Sequence, residues 1–181
     1  KGCGACCRRA IPVSEPEAYR LTAYVDLMPE PRRTVIKDRF AAGMEVFRKS
    51  GMLGRMFQRP KDDRDAKRAM DELDTYFEKG VPCPFLEEES CSIYEERPLI
   101  CRQFVVTSDP AYCATKEGKG IERVPLLARP QDALILIASD PDKDRVASMP
   151  MIQMFEWVAA NPEKAERKTG VEWLDTFANT L

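Results

Sequence analysis

Residues 82–104 read PCPFLEEESCSIYEERPLICRQF and place Cys83, Cys91 and Cys101 in one short stretch. Pro82 and Pro84 fix φ and remove backbone donors on both sides of Cys83, so this part is extended rather than helical. Phe85 and Leu86 give an apolar anchor, and Glu87-Glu88-Glu89 reads as a solvated loop tip, since a run of like charge is usually a wet surface. Cys91-Ser92-Ile93-Tyr94 reads as a short turn or strand. Pro98 suits the first helical position. Leu99 to Phe104 then forms one or two helical turns with Cys101 in the first, where backbone N–H groups and the positive dipole end lower a thiol's pKa. Arg97 and Arg102 add positive charge beside it.

About eighty residues upstream a second group, GCGACC, holds Cys3, Cys6 and Cys7. Gly2 and Gly4 allow the tight backbone of a loop around an ion, and Arg8 and Arg9 follow, either as counter-charges for thiolates or as plain solvated cations. The chain has seven cysteines and no histidine. A secreted disulfide framework is disfavoured by the odd count, the adjacent Cys6 and Cys7 and a chain long enough to need no bridges. Cysteines acting merely as buried hydrophobes would not gather in two groups beside Gly and Pro. The favoured reading is a metal site in which Cys-x-x-Cys-Cys joins Cys-x7-Cys-x9-Cys. Its candidate ligands are Cys3, Cys6, Cys7, Cys83, Cys91 and Cys101, with Cys3, Cys83, Cys91 and Cys101 first and Cys6 or Cys7 close behind. Cys113, separated from Cys101 by eleven residues, fits a buried free thiol better than a ligand. Without imidazole, Ser-His-Asp and Cys-His catalysis are excluded within the chain. An all-thiolate donor set suits zinc, iron or an iron–sulfur cluster and not magnesium or calcium.

The rest of the chain is helical in pattern. Ser14 with Glu17 forms a capping box for a helix over 15–28, with Ala18, Leu21, Val25 and Met28 on one face. A second helix runs over 32–49 with the stripe Ile36, Phe40, Met44 and Phe47, stopped by Gly51. Met52, Leu53, Met56 and Phe57 form a patch in a linker. A third helix starts at Asp62 or Asp63 and ends at Gly80, burying Ala66, Ala69, Met70, Leu73 and Phe77. Further on come a short strand at 105–107 and helices over 126–139, 149–160 and 162–168. The last helix carries Val171, Leu174, Phe177, Ala178 and Leu181. The 140–144 loop lacks the Gly and Glu of a calcium loop. The expected fold is mainly α, one domain over residues 1–181, with an irregular cysteine-rich metal-binding segment.

Lys+Arg is 28 against Asp+Glu 30, which gives no reason to expect nucleic acid as a partner. No apolar run is long enough to span a membrane. No leader peptide is visible, although the sequence opens at Lys1 rather than Met, and the expected location is the cytoplasm.

Four blocks in order, GCGACC, CPFL, CSIY and RPLICRQF, resemble the YkgJ-type cysteine-cluster family of zinc- or iron-chelating proteins. Cys3, Cys6 and Cys7 match the last three cysteines of its Cys-x-x-Cys-x-x-Cys-Cys motif, and the first would fall just before Lys1. The resemblance implies a metal ion as the principal partner. A flagellin lysine methylase family is similar in the same blocks, a weak analogy for activity. The function expected is chelation of zinc or iron by thiolates from both groups. The alternative is an iron–sulfur enzyme or electron carrier, with a protein-lysine methylation role by that analogy. A thiol–disulfide enzyme using Cys6–Cys7 or Cys3–Cys6 lacks the βαβ setting usual for such motifs.

Overall fold

A computed structural model of the chain describes residues 3–51, 61–139, 146–162 and 169–181. After a 3-10 turn at Cys6–Arg8 comes strand β1, Pro12–Ser14, which leads directly into helix α1, Glu15–Asp26. The capping box forms: the Glu17 carboxylate accepts from the Ser14 N–H and hydroxyl at 3.0 and 2.8 Å. Ala18, Leu21 and Val25 are fully buried, and Met28 lies past the helix end against the same core.

Helix α2, Arg32–Lys49, buries the anticipated stripe of Ile36, Phe40, Met44 and Phe47. Helix α3, Asp63–Glu78, starts with the Asp62 side chain accepting from the Asp65 N–H. Gly51 and Gly80 take positive φ after α2 and α3, the left-handed turn that lets a helix stop without a Cβ penalty. The α3 stripe differs from expectation. Met70 is exposed and Tyr76 is the buried residue, packed edge-on against Phe47, because α3 touches the core only near its C-terminal end.

Strands β2, Leu86–Glu87, and β3, Ser90–Cys91, form a small hairpin, followed by a 3-10 turn at Tyr94–Glu96 and helix α4, Leu99–Gln103. Pro98 is the N-cap of α4, extended in φ and ψ, rather than its first helical residue. The strand expected at 105–107 reduces to a single bridge between Val106 and Arg123. Cys113 is buried in a 3-10 turn over Pro110–Ala114. Helix α5, Pro130–Ala138, begins at its proline, so 126–129 stay outside it.

Residues 149–160 are not one helix. Strand β4, Ser148–Pro150, pairs antiparallel with β1, a 3-10 turn follows at Met151–Gln153, and helix α6 runs Met154–Ala160. Helix α7, Gly170–Ala178, forms as anticipated with its own capping box, but Val171 and Leu174 face solvent. The linker patch at 52–57, the 140–144 loop and the helix at 162–168 fall wholly or mostly outside the described residues. No helix among the described residues is long and apolar enough to cross a membrane.

The chain is thus mainly helical, and one cluster of buried side chains runs through it. Phe40 packs against Phe85 and Phe155 with centroids 5.4 and 4.9 Å away, so α2 is the wall on which both the cysteine-bearing hairpin and α6 rest. Such edge-to-face pairs add about 0.5–1.5 kcal/mol beyond area burial.

Candidate metal centre

Three segments meet at the site. In the N-terminal loop the Cys7 N–H donates to the Gly4 carbonyl, closing the turn that presents Cys6 and Cys7. Arg8 grips both carboxylate oxygens of Glu89 at 2.9 and 2.6 Å and also donates to the Gly4 carbonyl. Glu89 and Leu86 approach Gly4 so closely that a Cβ has no room there. The loop is therefore bolted to the tip of the β2–β3 hairpin.

The hairpin turns through Glu88 and Glu89 at φ +47° and +54°, a left-handed pair that costs energy for residues other than glycine. The acidic triplet is a set of anchors rather than a purely wet tip. Glu87 accepts from Arg32 and Arg39 at 2.7 Å each, and Arg32 chiefly holds its carboxyl below the usual range.

The two cysteine groups touch through the backbone: the Cys83 N–H donates to the Cys7 carbonyl at 2.6 Å. The Phe85 and Leu86 N–H groups hydrogen-bond the Cys83 sulfur, and the Ile93 N–H does the same for Cys91. N–H groups turned onto sulfur favour thiolate, as a metal ligand requires. On the hairpin, Leu86 stands opposite Cys91, and Ser92 donates to the Phe85 carbonyl through both N–H and hydroxyl.

The third segment is held by Glu17. Its second carboxylate oxygen accepts from the Leu99 N–H at 2.7 Å, so α1 fixes the start of the short helix that carries Cys101. Replacing this buried acid leaves three donors without their acceptor, at a cost of about 2–3 kcal/mol. Glu17→Ala is therefore expected to lower the urea midpoint and weaken zinc uptake together, while a surface control such as Asp38→Ala changes neither. Unchanged zinc affinity in Glu17→Ala would mean that α4 is positioned by something else.

All six candidate cysteines line one cavity of about 370 Å3. Cys83 is buried, Cys6, Cys7, Cys91 and Cys101 are half-buried, and Cys3 is exposed at the rim, where it also lines a neighbouring cleft. Cys113 is not in the wall. Among the described residues no three Cys, Asp or Glu side chains stand together as a group that could hold an ion. The sulfurs surround the space instead of meeting at one point. Coordination at roughly 2.3 Å per sulfur therefore requires their side chains to draw inward.

The electrostatics show what that would involve. Hydrogen bonding between the adjacent Cys6 and Cys7 side chains pulls Cys6 below the ordinary thiol value and pushes Cys7 above it. Burial pushes Cys83 up to about 12 and raises Cys91 and Cys101 as well. The lowered value expected for Cys101 is overturned: α4 has five residues, too short for its dipole to offset desolvation, and only Arg97 pulls the other way. Nor do Arg8 and Arg102 act as free counter-charges. Arg8 is taken by Glu89, and Arg102 donates to the Arg97 and Glu95 carbonyls. Arg9 reaches the Cys113 and Thr115 carbonyls and lies over the Phe77 ring. The donor chemistry fits a soft or borderline ion, which lowers thiol pKa values by replacing the proton. Glu17 and the Arg8–Glu89 clamp were not visible as site residues in the sequence, since their partners lie tens of residues away.

A helical scaffold presenting cysteines from three segments around one cavity defines the class as a cysteine-cluster domain. The chain belongs to the CxxCxxCC family, described as a "putative zinc- or iron-chelating domain", whose sequence profile matches residues 1–120. No curated protein and no solved structure matches it.

Proposed function

We propose that the protein binds zinc or iron through thiolates from the two groups, with Cys6, Cys7, Cys83, Cys91 and Cys101 inside the cavity and Cys3 at its rim. The observation that carries this is the convergence on one cavity of six cysteines from segments about eighty residues apart, in a chain that belongs to a chelating family. A bound ion would crosslink the N-terminal loop, the hairpin and α4. The reading takes residues 1–181 as one domain working in a reducing compartment, the cytoplasm, where its seven free thiols persist.

Six thiols exceed the four that close a tetrahedral zinc site, and the cavity exceeds one ion. That surplus favours, as a second reading, an iron–sulfur cluster in an enzyme or electron carrier. Metal and acid-labile sulfide analysis of protein purified without air separates the two. A colourless sample with stoichiometric zinc supports the first. Iron with sulfide and absorbance at roughly 400 nm supports the second. Protein that retains no metal under these conditions would sink both.

A further inference from the structure

The thiol cavity continues past the cysteines. Ile100, Phe104 and Arg123 line it and also a second cavity of about 230 Å3, whose wall includes Gln103, Leu126 and Arg129. Together the two spaces fall within the roughly 300–1,000 Å3 usual for small-molecule sites, mostly apolar with a few polar groups. Their charge is one-sided. Asp+Glu outnumber Lys+Arg in the whole chain, 30 to 28, yet among the described residues no carboxylate lines either cavity, while Arg9, Arg97, Arg123 and Arg129 do.

These arginines are not equally engaged. Arg9 is committed to two carbonyls and Arg129 pairs with Asp132. Arg97 donates through Nε to the Tyr94 carbonyl and lies flat over the Tyr94 ring, its carbon 3.6 Å from the centroid. Arg123 lies over the Phe104 ring at 4.7 Å. Among the described residues neither Arg97 nor Arg123 has a carboxylate partner, whereas Arg8, Arg20, Arg32, Arg33, Arg39 and Arg48 all do. Stacking on a ring holds a guanidinium in place without using its forked N–H groups. Balancing thiolate charge explains Arg97. It does not explain Arg123, which sits where the thiol cavity opens into one that contains no cysteine.

We propose that Arg123, assisted by Arg97, forms a subsite for the carboxylate or phosphate group of a small molecule whose apolar part lies against Phe104 and Ile100, beside the metal. This rests on the reading above only in assigning the cysteine end of the cavity to the ion; the oxyanion contacts belong to the arginines. The guanidinium fork accepts such a group with two parallel hydrogen bonds, which a lysine cannot reproduce.

Calorimetric titration with inorganic phosphate and, separately, with succinate tests it, on zinc-loaded and on chelator-treated protein, with zinc content measured in the same samples. Saturable binding of either anion is expected, weakened about tenfold in both Arg123→Gln and Arg123→Lys with zinc content unchanged. Arg123 is exposed at the cavity mouth, so neither change disturbs the core. Arg123→Lys keeps the charge, so wild-type affinity in that variant would overturn the fork. Absence of saturable binding by the wild type would overturn the subsite. Protein that holds neither zinc nor iron but binds phosphate in an Arg123-dependent way would sink the metal reading and leave this one standing.

Discussion

Cys83→Ser and Cys101→Ser are each expected to abolish stoichiometric metal retention and to lower the melting temperature to that of chelator-treated wild type. Cys83 is buried and joins the hairpin to the Cys7 carbonyl, and Cys101 sits on a helix fixed by Glu17. A serine hydroxyl is a hard, weakly acidic donor that soft or borderline ions bind poorly. Thiolate-held zinc can contribute on the order of 10 kcal/mol to folding, comparable to the entire stability of an ordinary domain, so losing one ligand is far from a local event. Cys113→Ser is the matched control, a buried thiol outside the cavity wall, and should retain its metal. Metal-to-protein ratios and thermal melts with and without chelator decide the matter. Full metal content in both ligand variants would show that the ion is held elsewhere.

The second large effect concerns alkaline pH. Burial raises Cys83 from an ordinary thiol value of 9.0 to about 12, and it raises Cys91 and Cys101 in the same direction. In the metal-free protein these thiols contribute stability that is complete below about pH 9. That stability is lost as pH rises toward the folded values, because the unfolded chain gives up its protons first. For fully buried Cys83 the loss is about 1.4 kcal/mol per pH unit across that window. Buried Tyr76, also raised, adds to it at higher pH. Metal-loaded protein should behave in the opposite way. Its sulfurs are already deprotonated on the ion, so raising pH from 7.5 to 10 removes competing protons and leaves the urea midpoint steady or higher. Urea denaturation at both pH values, with chelator and with zinc, measures the contrast. Parallel curves in the two states would mean the thiols do not titrate against the ion.

The helical frame was legible because α1 and α2 each bury one continuous stripe and leave the opposite face exposed. Their apolar positions repeat at helical spacing, and Ile36, Phe40, Met44 and Phe47 could belong to no other element. The α3 stripe misled for the converse reason: an amphipathic pattern records the capacity to bury a face, and here only the end near Tyr76 finds a wall. The β1–β4 pair was hidden because three residues, Pro12–Ser14, carry no readable alternation and their partner is Ser148–Pro150. Pro150, which cannot sit inside a helix, was the available clue. At the site, the six cysteines singled out by their spacing line one cavity. Glu87 and Glu89 read as solvated charge in the sequence because their arginine partners, Arg39, Arg32 and Arg8, are invisible to any local pattern. Cys101 failed on magnitude, with desolvation outweighing a dipole that five residues cannot build.

The pairing of β1 with β4 bears on how a nascent chain matures. Strand β1 leaves the ribosome early and must wait for more than a hundred further residues before its neighbour emerges. The cysteine wall is complete by Cys101, well before that. Synthesis therefore exposes every thiol of the cavity to the metal pool while the ladder beneath it is still open. On the proposed reading, metal loading can precede the pairing of β4 with β1.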